Sequence, residues 1–252
     1  MTDQVPVRAA KTSLEIINKV RELEGAGVSE LANELDKPTS TVHDHLRTLE
    51  SEEYLIKSDS KYYVGTQFLD LGEHARSRHK MYTIARQEVD ELATQTGEHT
   101  NLMIEEHGRG VFLYKSKGPD TVQLDTHAGM RVPLQTTAMG KSILAFRPSE
   151  EVDEIINRHG LPQLTEKTIT DRDELYDELD EIQKRGYAYA DEERVKGMRS
   201  VAAPITNDKG RSVAAIGVTG PKRRLRGQRL REDVPDLILS SANVIEVNPS
   251  HS

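Results

Sequence analysis

Val28-Ser-Glu-Leu-Ala-Asn-Glu-Leu-Asp-Lys-Pro38-Thr-Ser-Thr-Val-His-Asp-His-Leu-Arg-Thr-Leu49 is the stretch on which the fold turns. Val28, Leu31, Ala32 and Leu35 repeat at helical spacing, with Ser29 as N-cap or first-turn residue, and the pattern stops at Asp36-Lys37-Pro38. Pro38 suits the first turn of a new helix, where its missing N–H costs nothing. Val42, Leu46 and Leu49 then give that helix a core stripe. Its other side carries Ser40, His43, Asp44 and Arg47 at i, i+3, i+4 and i+7, with Thr39 and Thr41 at the start, so hydrogen-bonding side chains gather on one exposed face.

Outward from this pair, Leu14, Ile17, Val20 and Leu23 predict a helix over Ser13–Glu24, stopped by Gly25 to Gly27. Downstream, Tyr54-Leu-Ile-Lys57 and Tyr62-Tyr-Val64 flank the polar turn Ser58-Asp-Ser-Lys61, which predicts a hairpin. Three short helices and a hairpin make a winged helix-turn-helix, whose third helix enters the major groove while the wing lies along the DNA backbone. The expected DNA contacts are Lys37, Thr39, Ser40, Thr41, His43, Asp44 and Arg47 on the helix and its entry turn, with Lys57, Lys61 and Tyr62 on the wing. Arg47 can pair with a guanine edge or a phosphate, and Asp44 can accept from a cytosine amino group, orient Arg47 or point away. Tyr62 and Tyr63 alternate in a strand, so one of them belongs to the core.

Phe68, Leu71, Gly72, Ala75 and His79 suggest a helix leaving the wing, followed by the basic run Arg76-Ser-Arg-His-Lys80. We place the winged helix-turn-helix domain at 1–66, a linker helix at 67–80 and a second domain at 81–252. The second domain opens with a helix from Met81 to Thr96 ended by Gly97. Strands are expected at His99–Glu106, Val111–Lys115, Thr121–Thr126, Arg131–Leu134, Tyr187–Ala190, Ser200–Thr206 and Ser212–Thr219. Helices are expected at Thr136–Phe146, from Ser149 as cap to Arg158, from a Thr170/Asp173 capping box to Arg185, and over Asp233–Val247. Hairpin connections point to an antiparallel α+β fold rather than a doubly wound one.

No P-loop, GxGxxG, HExxH or GxSxG motif occurs, so neither an enzyme nor a nucleotide cofactor is indicated. The histidines lack metal-ligand spacing: His43 and His45 face opposite ways on a helix, and His74 and His79 are five apart. The start of the Thr136–Lys141 helix offers unpaired N–H groups and small side chains to an anion, unless Thr136 or Thr137 merely caps its own helix. Around it, Gly197–Ser200 and Gly217–Thr219 leave space for a ligand.

Several of these segments resemble the IclR (isocitrate lyase regulator) family of transcription factors. The likeness runs over residues 10–247, through Ser13-Leu-Glu-Ile-Ile17, Val28-Ser-Glu-Leu-Ala32 and Pro38-Thr-Ser-Thr-Val-His43 in the first domain. In the second it runs through Thr137-Ala-Met-Gly-Lys-Ser142, Thr168-Ile-Thr-Asp171, Arg185-Gly-Tyr187, Asp191-Glu-Glu193, Gly197-Met-Arg-Ser-Val-Ala-Ala-Pro204 and Val218-Thr-Gly-Pro221. The resemblance implies a DNA-binding domain, a linker helix that drives dimerisation, and a GAF-like effector domain, in a protein that binds palindromic or pseudo-palindromic operators as a dimer or dimer of dimers. It also implies an effector pocket lined by Leu124, Val132, Ala138, Met139, Asp191, Met198, Ser200, Gly217 and Thr219. The start of the helix at Ala138 and Met139 would receive the carboxylate of a small organic acid. Ser200 stands where relatives commonly carry Cys, Gly217 and Thr219 where they carry Ser, and Ala190 replaces a frequent Asp. Gly217 is therefore expected to leave extra room, as for a sugar acid. An architectural DNA-binding protein without effector, and an enzyme with an appended helix-turn-helix, are the competing classes.

Composition stands against DNA binding at first sight: 34 Lys and Arg against 42 Asp and Glu give a net charge of −8 over 252 residues. Residues 1–80 are themselves acidic, with 11 cationic side chains against 14 anionic ones. Yet Arg47, Lys57, Lys61 and Lys37 fall on the docking side, while many acids fall elsewhere. An acid-rich, cysteine-free, aromatic-poor chain fits a high-salt cytoplasm, as in a halophilic archaeon, where screening shortens the reach of self-repulsion. No apolar run approaches membrane-span length and the first residues lack a signal-peptide pattern, so an intracellular, cytoplasmic protein is expected.

Overall fold

A computed structural model describes residues 5–247, which form two compact units, one reaching to Arg78 and the other beginning at His79. The outermost parts of the domains assigned above, residues 1–4 and 248–252, lie outside the described residues.

The first unit runs α1 (Arg8–Glu22), α2 (Val28–Glu34), α3 (Thr39–Ser51), β1 (Leu55–Ser58), β2 (Lys61–Val64) and α4 (Gln67–Ser77). Its core gathers Ile16, Val20, Leu31, Val42, Leu46, Leu49, Leu55 and Tyr62. The stripe of α1 keeps Val20 in the core with Ile17 and Leu23 packed against it, but Leu14 is exposed and Ile16 takes the core position instead. Pro38 is the N-cap of α3 rather than a first-turn residue. The chain enters α2 at Gly27, whose N–H donates to the Glu30 carboxylate, and Ser29 sits in the first turn. Between β1 and β2, Asp59 and Ser60 both have positive φ (47° and 69°), as a type I′ hairpin turn requires. Reciprocal backbone hydrogen bonds between Ala26 and Tyr62 tie the wing to the loop after α1. Gly25 is needed there: its φ is 111°, and a Cβ would stand 2.2 Å from the Tyr63 ring.

The second unit continues with α5 (Lys80–Thr96), β3 (His99–Glu106), β4 (Arg109–Lys117), β5 (Arg131–Pro133), a short 3₁₀ turn, α6 (Ala138–Ala145), α7 (Ser149–His159) and α8 (Arg172–Arg185). It ends with β6 (Ala188–Asp191), β7 (Met198–Thr206), β8 (Ser212–Pro221), a π-turn and α9 (Val234–Val247). All strands pair antiparallel in the order β5-β4-β3-β8-β7-β6. Period-two alternation gives the sheet two buried faces. Leu102, Ile104, Val201, Ile216 and Val218 pack under α5 and α9, while Met103, Phe112, Ala202 and Ala215 pack under α6 and α8.

Three local expectations are corrected. Thr121–Thr126 forms no strand, because the segment passes beside the sheet without a ladder partner. Pro148, not Ser149, is the N-cap of α7. Asp171, whose carboxylate accepts from the Glu174 N–H at 3.0 Å, caps α8 in place of Thr170.

Candidate recognition helix and effector pocket

On α3 the residues Thr39, Ser40, Thr41, His43, Asp44 and Arg47 are all exposed, while Val42, Leu46 and Leu49 face the core. Among the described residues Arg47 has no ion-pair partner. The nearest partner of Asp44 is His43, at 3.6 Å, so the carboxylate is not orienting Arg47. His45, on the flank, is held to Ser13 of α1 at 2.8 Å and fixes the angle between the two helices. Lys37 is tied to Glu15 at 3.1 Å, so any phosphate must compete with that carboxylate.

On the wing, Lys57 and Lys61 are exposed, whereas Tyr62 is buried to 1% exposure and is excluded as a DNA contact. It is the core member of the tyrosine pair. Lys57 stacks its ammonium 5.3 Å from the centre of the Tyr62 ring, which braces the lysine on the outer strand.

In the second unit, β3, β8, β7 and β6 bring one residue each into a row, His99, Thr219, Ser200 and Ala190, by direct cross-strand pairing. This row floors a cavity with an empty volume of about 510 Å³, mouth included. Asn101, Phe112 and Lys115 supply one wall, the 121–130 segment adds Leu124 and Thr126, and the start of α6 adds Thr136, Thr137 and Met139. Arg194, Val195, Met198 and Arg199 close it from the loop before β7 and the start of that strand.

Thr137 accepts from the Gly140 N–H at 2.9 Å and caps α6, leaving the Ala138 and Met139 N–H groups without a backbone acceptor. The two readings of this helix start therefore coexist. Behind the site, Lys141, only 2% exposed, pairs with Glu193 at 2.9 Å and Glu178 at 3.5 Å. Burial pushes the Glu193 carboxyl above its usual range in spite of that lysine.

Of the residues expected in the pocket, Leu124, Met139, Met198, Ser200 and Thr219 line it. Val132 and Ala138 do not, being packed into the core beneath α6. Asp191 turns outward to Arg199 (2.7 Å) and Lys167 (3.1 Å), and the Arg199 hydrogen bond holds it below the ordinary carboxylate range. Gly217 does not provide extra room: a Cβ there would meet Met139 Cγ at 2.7 Å, so the thioether side chain already fills the space.

Sequence reading missed His99, Asn101, Lys115 and Arg194. Lys115 reaches the cavity because of a β-bulge. Leu102 pairs with Tyr114 and Met103 with Phe112, so Leu113 is an extra residue and every later side chain of β4 changes face. Nothing in the alternation of Val111-Phe-Leu-Tyr-Lys115 announces it.

Comparison with known proteins finds matches to both parts of the chain. Residues 12–58 match the IclR helix-turn-helix domain, and residues 73–247 match the C-terminal domain of bacterial IclR transcriptional regulators. A probable HTH-type transcriptional regulator, ArcR, from Halobacterium salinarum is 34% identical, covering 96% of this chain and 93% of its own, and its source is in keeping with the high-salt composition. The regulator BhcR of Paracoccus denitrificans is 31% identical over 95% of this chain and 86% of its own. The crystal structure of Thermotoga maritima IclR superposes with a TM-score of 0.79 at 29% identity, covering 97% of this chain and 99% of that one. An IclR homologue from Microbacterium hydrocarbonoxydans, complexed with 4-hydroxybenzoate, shares the fold with a TM-score of 0.76 at 22% identity, covering 94% and 98%. These relatives are regulators of transcription, not enzymes, and this chain belongs to the IclR family of transcriptional regulators, with a helix-turn-helix DNA-binding domain followed by an effector-binding domain.

Proposed function

We propose that this protein binds a palindromic or pseudo-palindromic operator as a homodimer or dimer of dimers, under the control of a small organic acid taken into the second unit, and governs a catabolic pathway in the cytoplasm. The observation that carries the reading is a walled cavity placed at an open helix start and lined by cations, in a chain whose α3 presents a polar, exposed face. Ser40, Thr41, His43 and Arg47 would read base edges or phosphates, with Lys57 and Lys61 of the wing along the backbone. Effector binding would change the relative placement of two winged helices and so their match to two half-sites. The organic acid in the Microbacterium homologue supports a carboxylate ligand for this fold.

Thermal denaturation with a broad organic-acid panel tests the effector half of the proposal. A true ligand at about 100 times its Kd stabilises by roughly 2.7 kcal/mol. No shift with any acid would leave an architectural DNA-binding protein as the better reading. Binding to DNA fragments taken from beside its own gene, lost when the palindrome is scrambled, tests the other half.

A further inference from the structure

Most half-buried cations of the second unit have a carboxylate: Lys141 has Glu193, Arg147 has Glu105, Arg199 has Asp191 and Arg224 has Glu98. Two cations in the pocket have none. Lys115 donates to the carbonyl oxygens of Thr126 at 2.8 Å and Leu124 at 3.5 Å. Arg194 donates to the Thr126 hydroxyl at 3.3 Å and the Met130 sulfur at 3.2 Å, and lies 5.5 Å over the Phe112 ring. Both feel the field of exposed Asp125 without forming an ion pair with it. Burial and the nearby Lys117 and Arg194 together push the Lys115 ammonium below its usual range. Such a pair of neighbouring half-buried charges is unfavourable until an anion joins them.

The floor adds unused hydrogen-bonding groups. His99, 1% exposed, uses Nε2 to donate to the Val122 carbonyl at 2.6 Å, which makes Nδ1 an acceptor, and that atom has no partner. Burial holds the ring neutral by lowering its pKa. Asn101, 3% exposed, has its Oδ1 buried without a partner among the described residues. Both acceptors call for hydroxyl donors on the ligand.

Taking the cavity to be the effector site, we propose that its ligand is a hydroxylated dianion, a short dicarboxylic hydroxy acid. One carboxylate accepts from the first-turn N–H groups of α6, the other lies against Lys115 and Arg194, and a hydroxyl donates to His99 or Asn101. A monocarboxylic acid satisfies only one of the two anion positions.

Calorimetric titration of the full-length protein in concentrated KCl compares malate, tartrate and galactarate with succinate, lactate and 4-hydroxybenzoate. The expected result is that a hydroxy diacid binds about tenfold or more tighter than either monoacid, and succinate less tightly than malate. Arg194→Gln and, separately, Lys115→Gln should each erase the preference for the diacid while leaving monoacid affinity within a factor of about three, with the thermal transition confirming a folded protein. A monoacid that binds more tightly than every diacid, or variants that weaken both classes equally, would overturn the dianion and leave the effector reading standing. Absence of binding by any acid of either class would overturn the effector reading and this proposal with it.

Discussion

Replacing Lys141 by Met isolates the buried charge behind the pocket. Lys141 is the principal countercharge of Glu193, whose Oε2 has no hydrogen-bond partner and whose Oε1 otherwise accepts only from the Asp191 N–H at 3.3 Å. Glu178 would not be stranded, because Arg185 holds it at 2.9 Å. Breaking one side of a buried pair costs about 3–5 kcal/mol, whereas neutralising both sides costs far less. For a unit of this size each kcal/mol moves Tm by roughly 2–4 °C, so Lys141→Met should lower the transition by about 6–20 °C. Adding Glu193→Gln should recover most of that loss. The pH dependence has a definite sign. Glu193 binds its proton more readily folded than in the unfolded chain, where the ordinary value is 4.5. The penalty in Lys141→Met is therefore largest at alkaline pH, above the raised pKa of the folded state, and shrinks as pH falls toward 4.5. Circular-dichroism melts of the three proteins across that range provide the assay. A single variant within about 1 kcal/mol of the parent, or a double variant no more stable than the single one, would refute the reasoning.

Arg47→Ala should abolish sequence-selective operator binding in a gel-shift or anisotropy titration while the melting curve is unchanged, since the side chain is exposed and has no ion-pair partner among the described residues; undiminished selective binding would remove Arg47 from the recognition set. Raising KCl from low concentration should strengthen operator binding or the fold of this acidic chain, the reverse of the usual counterion-release slope, and a monotonic loss of affinity would contradict the high-salt reading. Two glycines, one within α6 and one on β8 beneath it, should differ. Gly140→Ala puts a Cβ 2.0 Å from the Leu134 carbonyl oxygen, a backbone atom that cannot yield, and should destabilise by about 3 kcal/mol or more. Gly217→Ser pushes hardest on the Met139 side chain, with looser contacts to Ala202 Cβ and the Val201 carbonyl oxygen at 3.0 and 3.1 Å, and should cost about 1 kcal/mol in stability; equal effects of the two substitutions in thermal melts would contradict the geometry.

Periodicity carried the fold where a segment buries one clean face. Val42, Leu46 and Leu49 of α3 and the alternating strands β3 and β8 read correctly because burial there follows a single period. It failed at edges. Leu14 was assigned to the core because the chain also contains Ile16 and Ile17, and two overlapping stripes fit the same residues. Val122 and Leu124 read as a strand, yet the segment serves the pocket instead, with the Val122 carbonyl accepting from His99. On α3 the candidate contacts were legible, since exposure follows from the helical wheel alone. The candidate pocket was half legible, because the family motifs mark one wall while its charge comes from Lys115, displaced by a bulge, and Arg194, on a loop.

The meeting of Met139 with Gly217 makes the capacity of the pocket adjustable from one pair of positions. A thioether on three rotatable bonds can swing to admit a longer ligand, and bulk can be exchanged between a helix residue and the strand residue beneath it without disturbing sheet register. If the cavity takes the acid proposed above, descendants of this chain could change the length of ligand they admit by trading methylenes across a single contact, while Lys115 and Arg194 stay in place.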